Sequence, residues 1–172
     1  FTYTINENEI VSLANGAINQ NTGEVIHMDY YSKGTLGISG GPTLRLYEGG
    51  TMGDIYINQR LRQSPNGYIW RDPADGTVAI ENTEYRKIGS VLPKYHLGWN
   101  GNVAWNGLSL GFAFTARVGG LVVSDTQAML DNYGVSETSA IARQNGGVWI
   151  GDSQVDAEDY YKKVSTAIGT YY

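Results

Sequence analysis

The 172 residues contain no cysteine, which excludes disulfides, thiolate nucleophiles and Cys-ligated zinc. Histidine occurs only twice, as His27 and His96. No H-x-x-x-H spacing exists, so a helix-borne zinc site is excluded. Cationic side chains are few: Lys+Arg 12 against Asp+Glu 17 gives a formal charge of -5. No stretch is densely basic, and no nucleic-acid partner is expected. Proline is also sparse, at 4 residues. No run of about 18 apolar residues occurs, so no transmembrane helix is expected. Membrane β-barrels are not excluded by this, because their strands alternate and need no long apolar run. The chain opens on Phe1, without an initiator Met or a charged-then-apolar leader. It is therefore expected to be a processed or excised piece, with any targeting signal outside it.

What is abundant points to β structure. Gly is 23 of 172 residues, nearly twice the usual share of about 7%. Tyr 13 and Trp 4 are also generous. Many glycines and aromatics with few prolines predict a β protein with many turns.

Phe1, Tyr3 and Ile5 alternate with Thr2, Thr4 and Asn6, so residues 1–14 open as a strand. Residues 15–23 are a turn or loop, and residues 24–32 can form another strand. Residues 33–53 are glycine-rich around Pro42, with short strands expected at Thr43–Tyr47 and Asp54–Asn58. Residues 59–93 are polar and carry the turn signals Asn66-Gly67 and Asp75-Gly76, which predicts a long surface excursion.

The clearest pattern is residues 94–118. Tyr95, Leu97, Trp99, Val103 and Trp105 alternate with His96, Gly98, Asn100, Asn102 and Ala104. After Asn106-Gly107, the strongest two-residue hairpin signal, Leu108, Leu110, Phe112, Phe114, Ala116 and Val118 alternate with Ser109, Gly111, Ala113, Thr115 and Arg117. Each run has one large apolar face and one small or polar face. Each has about the 9–11 residues needed to cross a bilayer as a tilted strand. The tight turn fits a short periplasmic turn, and Trp105 suits an aromatic girdle. The other home for such a hairpin is the core of a soluble β-sandwich.

Strand patterning then stops. Ser124 can cap a helix running to Tyr133, with Gly134 as its stop. Residues 135–153 read as loop around Asn145-Gly146-Gly147. Asp156 can cap a second helix, in which Ala157, Tyr160, Tyr161, Val164, Ala167 and Ile168 recur at helical spacing before Gly169.

Several landmarks resemble the SusC/RagA family of TonB-dependent outer-membrane transporters, in that family's order. Asn6-Glu7-Asn8-Glu9-Ile10-Val11-Ser12-Leu13 is similar to its N-K-N-x-I/V-x-x-L strand end, with Glu7 and Glu9 where the family favours Lys. Gly41-Pro42, followed by Tyr47 and Gly53, is similar to its glycine-proline loop. Ile88-Gly89-Ser90-Val91-Leu92-Pro93-Lys94-Tyr95 matches the I-G-S/N-x-x-P-K/R-F/Y signature, which leads into a hairpin, here His96 to Phe114. Arg143-Gln144-Asn145-Gly146-Gly147-Val148-Trp149 resembles an R-D-N-G-G-V loop, and Asp159-Tyr160-Tyr161 resembles an E-Y-Y helix start. Many relatives carry a calcium-loop-like D-x-N-x-D-G-x-I; here Arg71 and Pro73 replace ligand positions in Arg71-Asp72-Pro73-Ala74-Asp75-Gly76-Thr77-Val78.

The resemblance implies a mostly β, antiparallel fragment of a large outer-membrane β-barrel of roughly 22 strands, with long extracellular loops carrying two short helices. Residues 1–172 would be one C-terminal fragment. Its barrel strands would lie at about 1–14 and 94–118, and its loops at about 33–93 and 119–172. The family's last strands and terminal aromatic, the plug and the TonB-contact segment would lie beyond the sequence. The whole protein would sit in the cell outer membrane, among outer-membrane lipid. Driven by TonB and lidded by a SusD-like surface lipoprotein, it would import an oligosaccharide or peptide substrate. No cofactor is implied. The alternative is a soluble β-rich carbohydrate-binding or adhesion module.

Candidate chemistry is thin. Gly37-Ile38-Ser39-Gly40-Gly41 fits G-x-S-x-G, but Pro42 follows where a nucleophile elbow needs a helix. Asp72, Asp75, Glu81 and Glu84 can be read as a calcium loop or an acid pair, or as a solvated loop. Without a supported triad, metal cluster or phosphate loop, no enzymatic activity is expected. Trp70 and Trp149 lie in polar loops, where an exposed aromatic can stack on a sugar face; the plainer alternative is that each packs inward to anchor its loop. Since too few strands are present to close a barrel, Leu97, Trp99, Leu110, Phe112 and Phe114 are expected to be covered by the fragment's own loops and helices or by another copy.

Overall fold

The computed structural model describes residues 1–35 and 41–166. The described residues are mostly antiparallel β and form no closed barrel among themselves. The strands are β1 (Thr2–Thr4), β2 (Tyr31–Thr35), β3 (Thr43–Leu46), β4 (Asp54–Leu61), β5 (Ile80–Ser90), β6 (Tyr95–Trp105), β7 (Leu108–Val118), β8 (Val148–Ile150) and β9 (Ser153–Val155). The helices are α1 (Asp125–Asn132), α2 (Glu137–Gln144) and α3 (Ala157–Thr166). Among the described residues the strands make three sheets, ordered β1-β6-β7, β2-β3-β4-β5 and β8-β9. The chain divides into two compact units: residues 1–32, 45–55 and 89–121 in the first, residues 33–44, 56–88 and 122–172 in the second.

The first unit is built on the β6–β7 hairpin. Asn106 (φ 45°) and Gly107 (φ 86°) both take positive φ, as a type I′ turn requires. That turn fixes the register from Trp105↔Leu108 to Tyr95↔Val118 without a break. Odd residues of β6 therefore share a face with even residues of β7, as their alternation predicts. β1 adds to the other edge of β6, pairing Thr2↔Gly98, Tyr3↔Leu97 and Thr4↔His96. Tyr3 thus joins the apolar face, with its ring 5.5 Å from that of Tyr95.

β1 is shorter than the expected strand over residues 1–14. Its continuation is drawn off by a different set of hydrogen bonds. Ile10 and Gly49–Gly50 exchange backbone bonds of 2.9 and 2.8 Å. The Asn8 side-chain carbonyl accepts from the Met52 amide at 2.9 Å, and the Glu48 carboxylate accepts from the Leu13 amide and the Asn15 side chain. Residues 8–15 are a loop strapped to the turn between β3 and β4.

Two other expectations change. Residues 24–32 form a strand only from Tyr31 onward. The polar excursion at 59–93 contains the 11-residue strand β5. β5 alternates polar against polar (Asn82, Glu84, Arg86 against Glu81, Thr83, Lys87), so its hydropathy carries no period-2 signal.

In the second unit the buried apolar side chains include Ile57, Val78, Ala128, Ala142, Val155, Ala157 and Val164. Small residues on α1, α2 and α3 let the helices pack on one another. α1 starts on Ser124, whose side chain accepts from the Gln127 amide, and stops at Gly134 (φ 67°), as expected. α3 starts on Asp156, whose carboxylate accepts from the Glu158 and Asp159 amides at 2.9 and 3.1 Å. The expected helix end at Ala167, Ile168 and Gly169 lies outside the described residues.

α2 occupies residues expected to be loop. Its signals are local: the Ser136 cap accepts from the Ser139 amide at 3.1 Å, and Gly146 and Gly147 close its far end on the Arg143 and Ala142 carbonyls.

Gly147 has a further constraint. It sits at φ 136°, and a Cβ there would run into the backbone carbonyl oxygen of Val155. Gly147→Ala is therefore expected to cost on the order of 1–3 kcal/mol in chemical unfolding. Gly151→Ala, at φ 61° with nothing within 4 Å of the added Cβ, carries only the backbone penalty and should cost less. Equal losses for the two variants would contradict the clash.

Candidate functional site

Three places gather the residues singled out by the sequence. The first is the outer surface of the β1–β6–β7 sheet. Trp99 is 56% exposed, Leu110 65%, Phe114 62% and Trp105 79%. Leu97 and Phe112 are half-buried, so the expected cover from the chain's own loops and helices is absent among the described residues. What shelter exists comes from within the face. Trp99 meets Phe112 edge-on at 5.1 Å, and Phe114 stands 6.1 Å from Trp99. Phe112 lies across its partner Gly101, where an added Cβ would come within 2.5 Å of the ring. α1 and α2 each pack on α3.

The opposite face is small and polar. His96 stands across from Arg117, Gly98 from Thr115, Asn100 from Ala113 and Asn102 from Gly111. Arg117 donates to the Val91 carbonyl at 2.7 Å. His96 is exposed on this face, and His27 is exposed in a loop.

The second place is a cleft of about 670 Å³ lined by Asn6, Glu7, Asn8 and Glu9 on one side and by Ser90, Leu92, Pro93 and Lys94 on the other, with Gly49 and Thr51. The 88–95 segment is a junction. The Val91 amide donates to the Gly53 carbonyl at 2.9 Å, Leu121 to Ser90 at 2.7 Å, and Lys94 to Val118 at 2.8 Å. Gly89 makes room for Leu121, and Gly53 for Leu92, Ser90 and Val91. Sequence reasoning found both segments and missed that they share a cleft; nothing in their spacing could reveal it.

The third place holds the two tryptophans, and they part company. Trp70 is half-buried, with the Arg62 guanidinium 4.1 Å over its ring and its amide bonded to the Arg62 carbonyl at 2.8 Å. One of its faces is already occupied, and it anchors its loop. Trp149 stands in β8, across from Gln154 in β9, and is 67% exposed.

Three carboxylates of the polar excursion, those of Asp72, Asp75 and Glu81, are engaged locally. Asp72 accepts from the Ala74 amide at 2.9 Å. Asp75 accepts from the Thr77 amide and hydroxyl at 2.9 and 2.8 Å. Glu81 is paired with Arg60 at 2.6 Å. Among the described residues no group of three or more His, Asp or Glu side chains is placed to hold a metal ion. Gly37-Ile38-Ser39-Gly40 lies outside the described residues. Electrostatic shifts are local. Hydrogen bonds from the Leu13 amide and Asn15 hold the Glu48 carboxyl below its usual range. Burial pushes the Tyr160 phenol up.

No family model matches the chain, and a search of curated proteins finds no match.

Asp75 titrates below the ordinary carboxylate value, chiefly because the Thr77 amide and then the Thr77 hydroxyl donate to it. A lowered folded-state value means that the turn's stabilisation is present above the unfolded value and is lost as pH falls through the folded one. Carboxyl-detected NMR titration should place the Asp75 midpoint below that of an unfolded peptide. Thr77→Val, which keeps the amide and removes the hydroxyl, should move it part of the way back. An unmoved midpoint would show that the hydroxyl contributes nothing.

Proposed function

We propose that the chain supplies membrane strands and outward-facing loops to a SusC/RagA-type TonB-dependent transporter of the outer membrane. The observation that carries this is the uncovered apolar face of the β6–β7 hairpin. In water, each large apolar side chain left exposed forgoes about 1.5–3 kcal/mol. Six of them (Trp99, Val103, Trp105, Leu108, Leu110 and Phe114) are exposed on this one face. Hydrocarbon is the solvent that removes that penalty.

The arrangement around the face supports the same reading. Trp105 marks one end, and the Tyr3–Tyr95 pair marks the other. Ten residue steps at about 3.3 Å span roughly 33 Å. Tilted by about 40°, that becomes roughly 25 Å, the height of a barrel's apolar band between its aromatic girdles. The hairpin turn has two residues. Both long excursions, after Thr4 and after Val118, leave from the opposite end of the sheet. Short turns at one end and long loops at the other are the pattern of outer-membrane barrels.

In this role the chain is not an enzyme. The small polar face looks into the barrel lumen. The full-length protein takes up glycan or peptide nutrients with a SusD-like lipoprotein outside and TonB inside, and residues 119–166 belong to the outward-facing loops. The soluble carbohydrate-binding or adhesion module remains the competing reading. It requires the apolar face to be packed in a core.

The two faces of the hairpin make the test. In the full-length protein, Leu110→Arg places a charge in the lipid-facing band between its edge and its midplane and should cost about 1–3 kcal/mol. Outer-membrane assembly, read by heat-modifiable mobility on gels, should fall sharply. Ala113→Arg, three residues on and facing the lumen, should assemble normally. Equal tolerance of both, together with recovery of the wild type in a detergent-free soluble fraction, would remove the membrane reading.

A further inference from the structure

We propose that the outer face of the β8–β9 hairpin is a carbohydrate-binding surface for a neutral oligosaccharide, with Trp149 as its stacking platform and the Gln154 side-chain amide beside it. The ligand class rests on the glycan-uptake reading above; the site rests on its own geometry.

The hairpin is short and held from behind. Val148 and Val155 are paired, as are Ile150 and Ser153. By strand alternation these four share one face, and Val155 is among the most buried side chains of the unit. Trp149 and Gln154 are the directly opposed pair on the other face. Trp149 is 67% exposed although it sits in ordered β structure tied to the end of α2. Its position is therefore set mainly by the backbone pairing of the hairpin.

Gln154 is positioned as well. Its Nε2 donates to the Asn145 carbonyl at 2.8 Å, which fixes which end of the amide is engaged and orients Oε1 as an acceptor. Gly146 leaves the space alongside, since a Cβ there would stand 3.3 Å from Nε2. An exposed indole with a fixed amide acceptor at its side matches a pyranose. The apolar C–H face of the sugar lies on the ring, and an equatorial hydroxyl donates to the amide oxygen. The turn between the strands carries Asp152, and the chain's formal charge is -5, so an anionic sugar is disfavoured. Trp70 is less open, because Arg62 covers one face of its ring and the residue is half-buried.

The test uses the purified full-length protein in detergent and its variants Trp149→Ala, Trp149→Phe and Gln154→Ala. Calorimetric titration with malto-, cello-, xylo- and mannohexaose gives the affinities, and circular dichroism checks that each variant keeps its fold. At least one hexaose should bind the wild type. Trp149→Ala should weaken it about ten-fold or more, and Trp149→Phe only about two- to three-fold. Gln154→Ala should weaken it about three- to ten-fold, as the loss of one hydrogen bond implies. The proposal fails if none of the four hexaoses binds. It also fails if folded Trp149→Ala binds as the wild type does. Loss of a co-purifying surface protein in Trp149→Ala, with sugar affinity unchanged, would assign the indole to a protein contact and overturn it equally. A soluble module would pass this test and fail the Leu110→Arg comparison, so the two readings can fail separately.

Discussion

The β6–β7 register is the constraint on which the first unit depends. A two-residue turn with both residues at positive φ twists in the sense of the strands it joins. Asn106 and Gly107 meet that demand at the lowest steric cost available. Once Trp105 is paired with Leu108, every later pair is determined, because the side-chain period is 2 and no bulge intervenes. A slip of one residue would place Leu110 and Phe114 among the asparagines. The segregation of apolar from polar side chains over 11 residues per strand is therefore a consequence of one turn.

That segregation creates a conflict. A sheet with one apolar face needs a second layer, and helices are the usual material for it. The described residues form three helices, but their buried apolar positions are Ala128, Ala142, Ala157 and Val164, beside the polar Asp131, Ser139 and Ser165, and α1 and α2 pack on α3. Small residues make helix bundles tight; they do not make a broad apolar surface with which to blanket eleven-residue strands. Among the described residues, large apolar side chains of β6 and β7 therefore stand exposed on one face.

Legibility in the sequence follows the strength of local signals. The hairpin, its turn, β3, β4 and the starts of α1 and α3 were readable, because alternation, Asn-Gly and Ser or Asp caps act within a few residues. α2 was equally local and was overlooked, since Asn145-Gly146-Gly147 drew attention as a loop instead of as a helix stop. β5 was not readable from hydropathy: a strand with polar residues on both faces, such as Glu81 bonded to Arg60, is specified by its neighbours. The shortening of β1 was also beyond local reading, because the competing bonds come from Glu48, Gly49 and Gly50, some 40 residues away along the chain.

The two tryptophans show why residue type alone does not select a site. Both lie in polar, turn-rich sequence, and nothing in their immediate neighbours distinguishes them. The difference arises from where each sits: Trp70 lies in the loop between β4 and β5, Trp149 in β8. Trp70 is held by its amide to Arg62, so the same partner that fixes the backbone also delivers a guanidinium to the ring. Trp149 is fixed through the hairpin and through α2, by bonds that involve neighbouring backbone and leave the indole out. A ring placed by its own contacts has given its surface to the fold. A ring placed by contacts made elsewhere keeps its surface for a ligand, at the cost of leaving apolar area in water until one arrives.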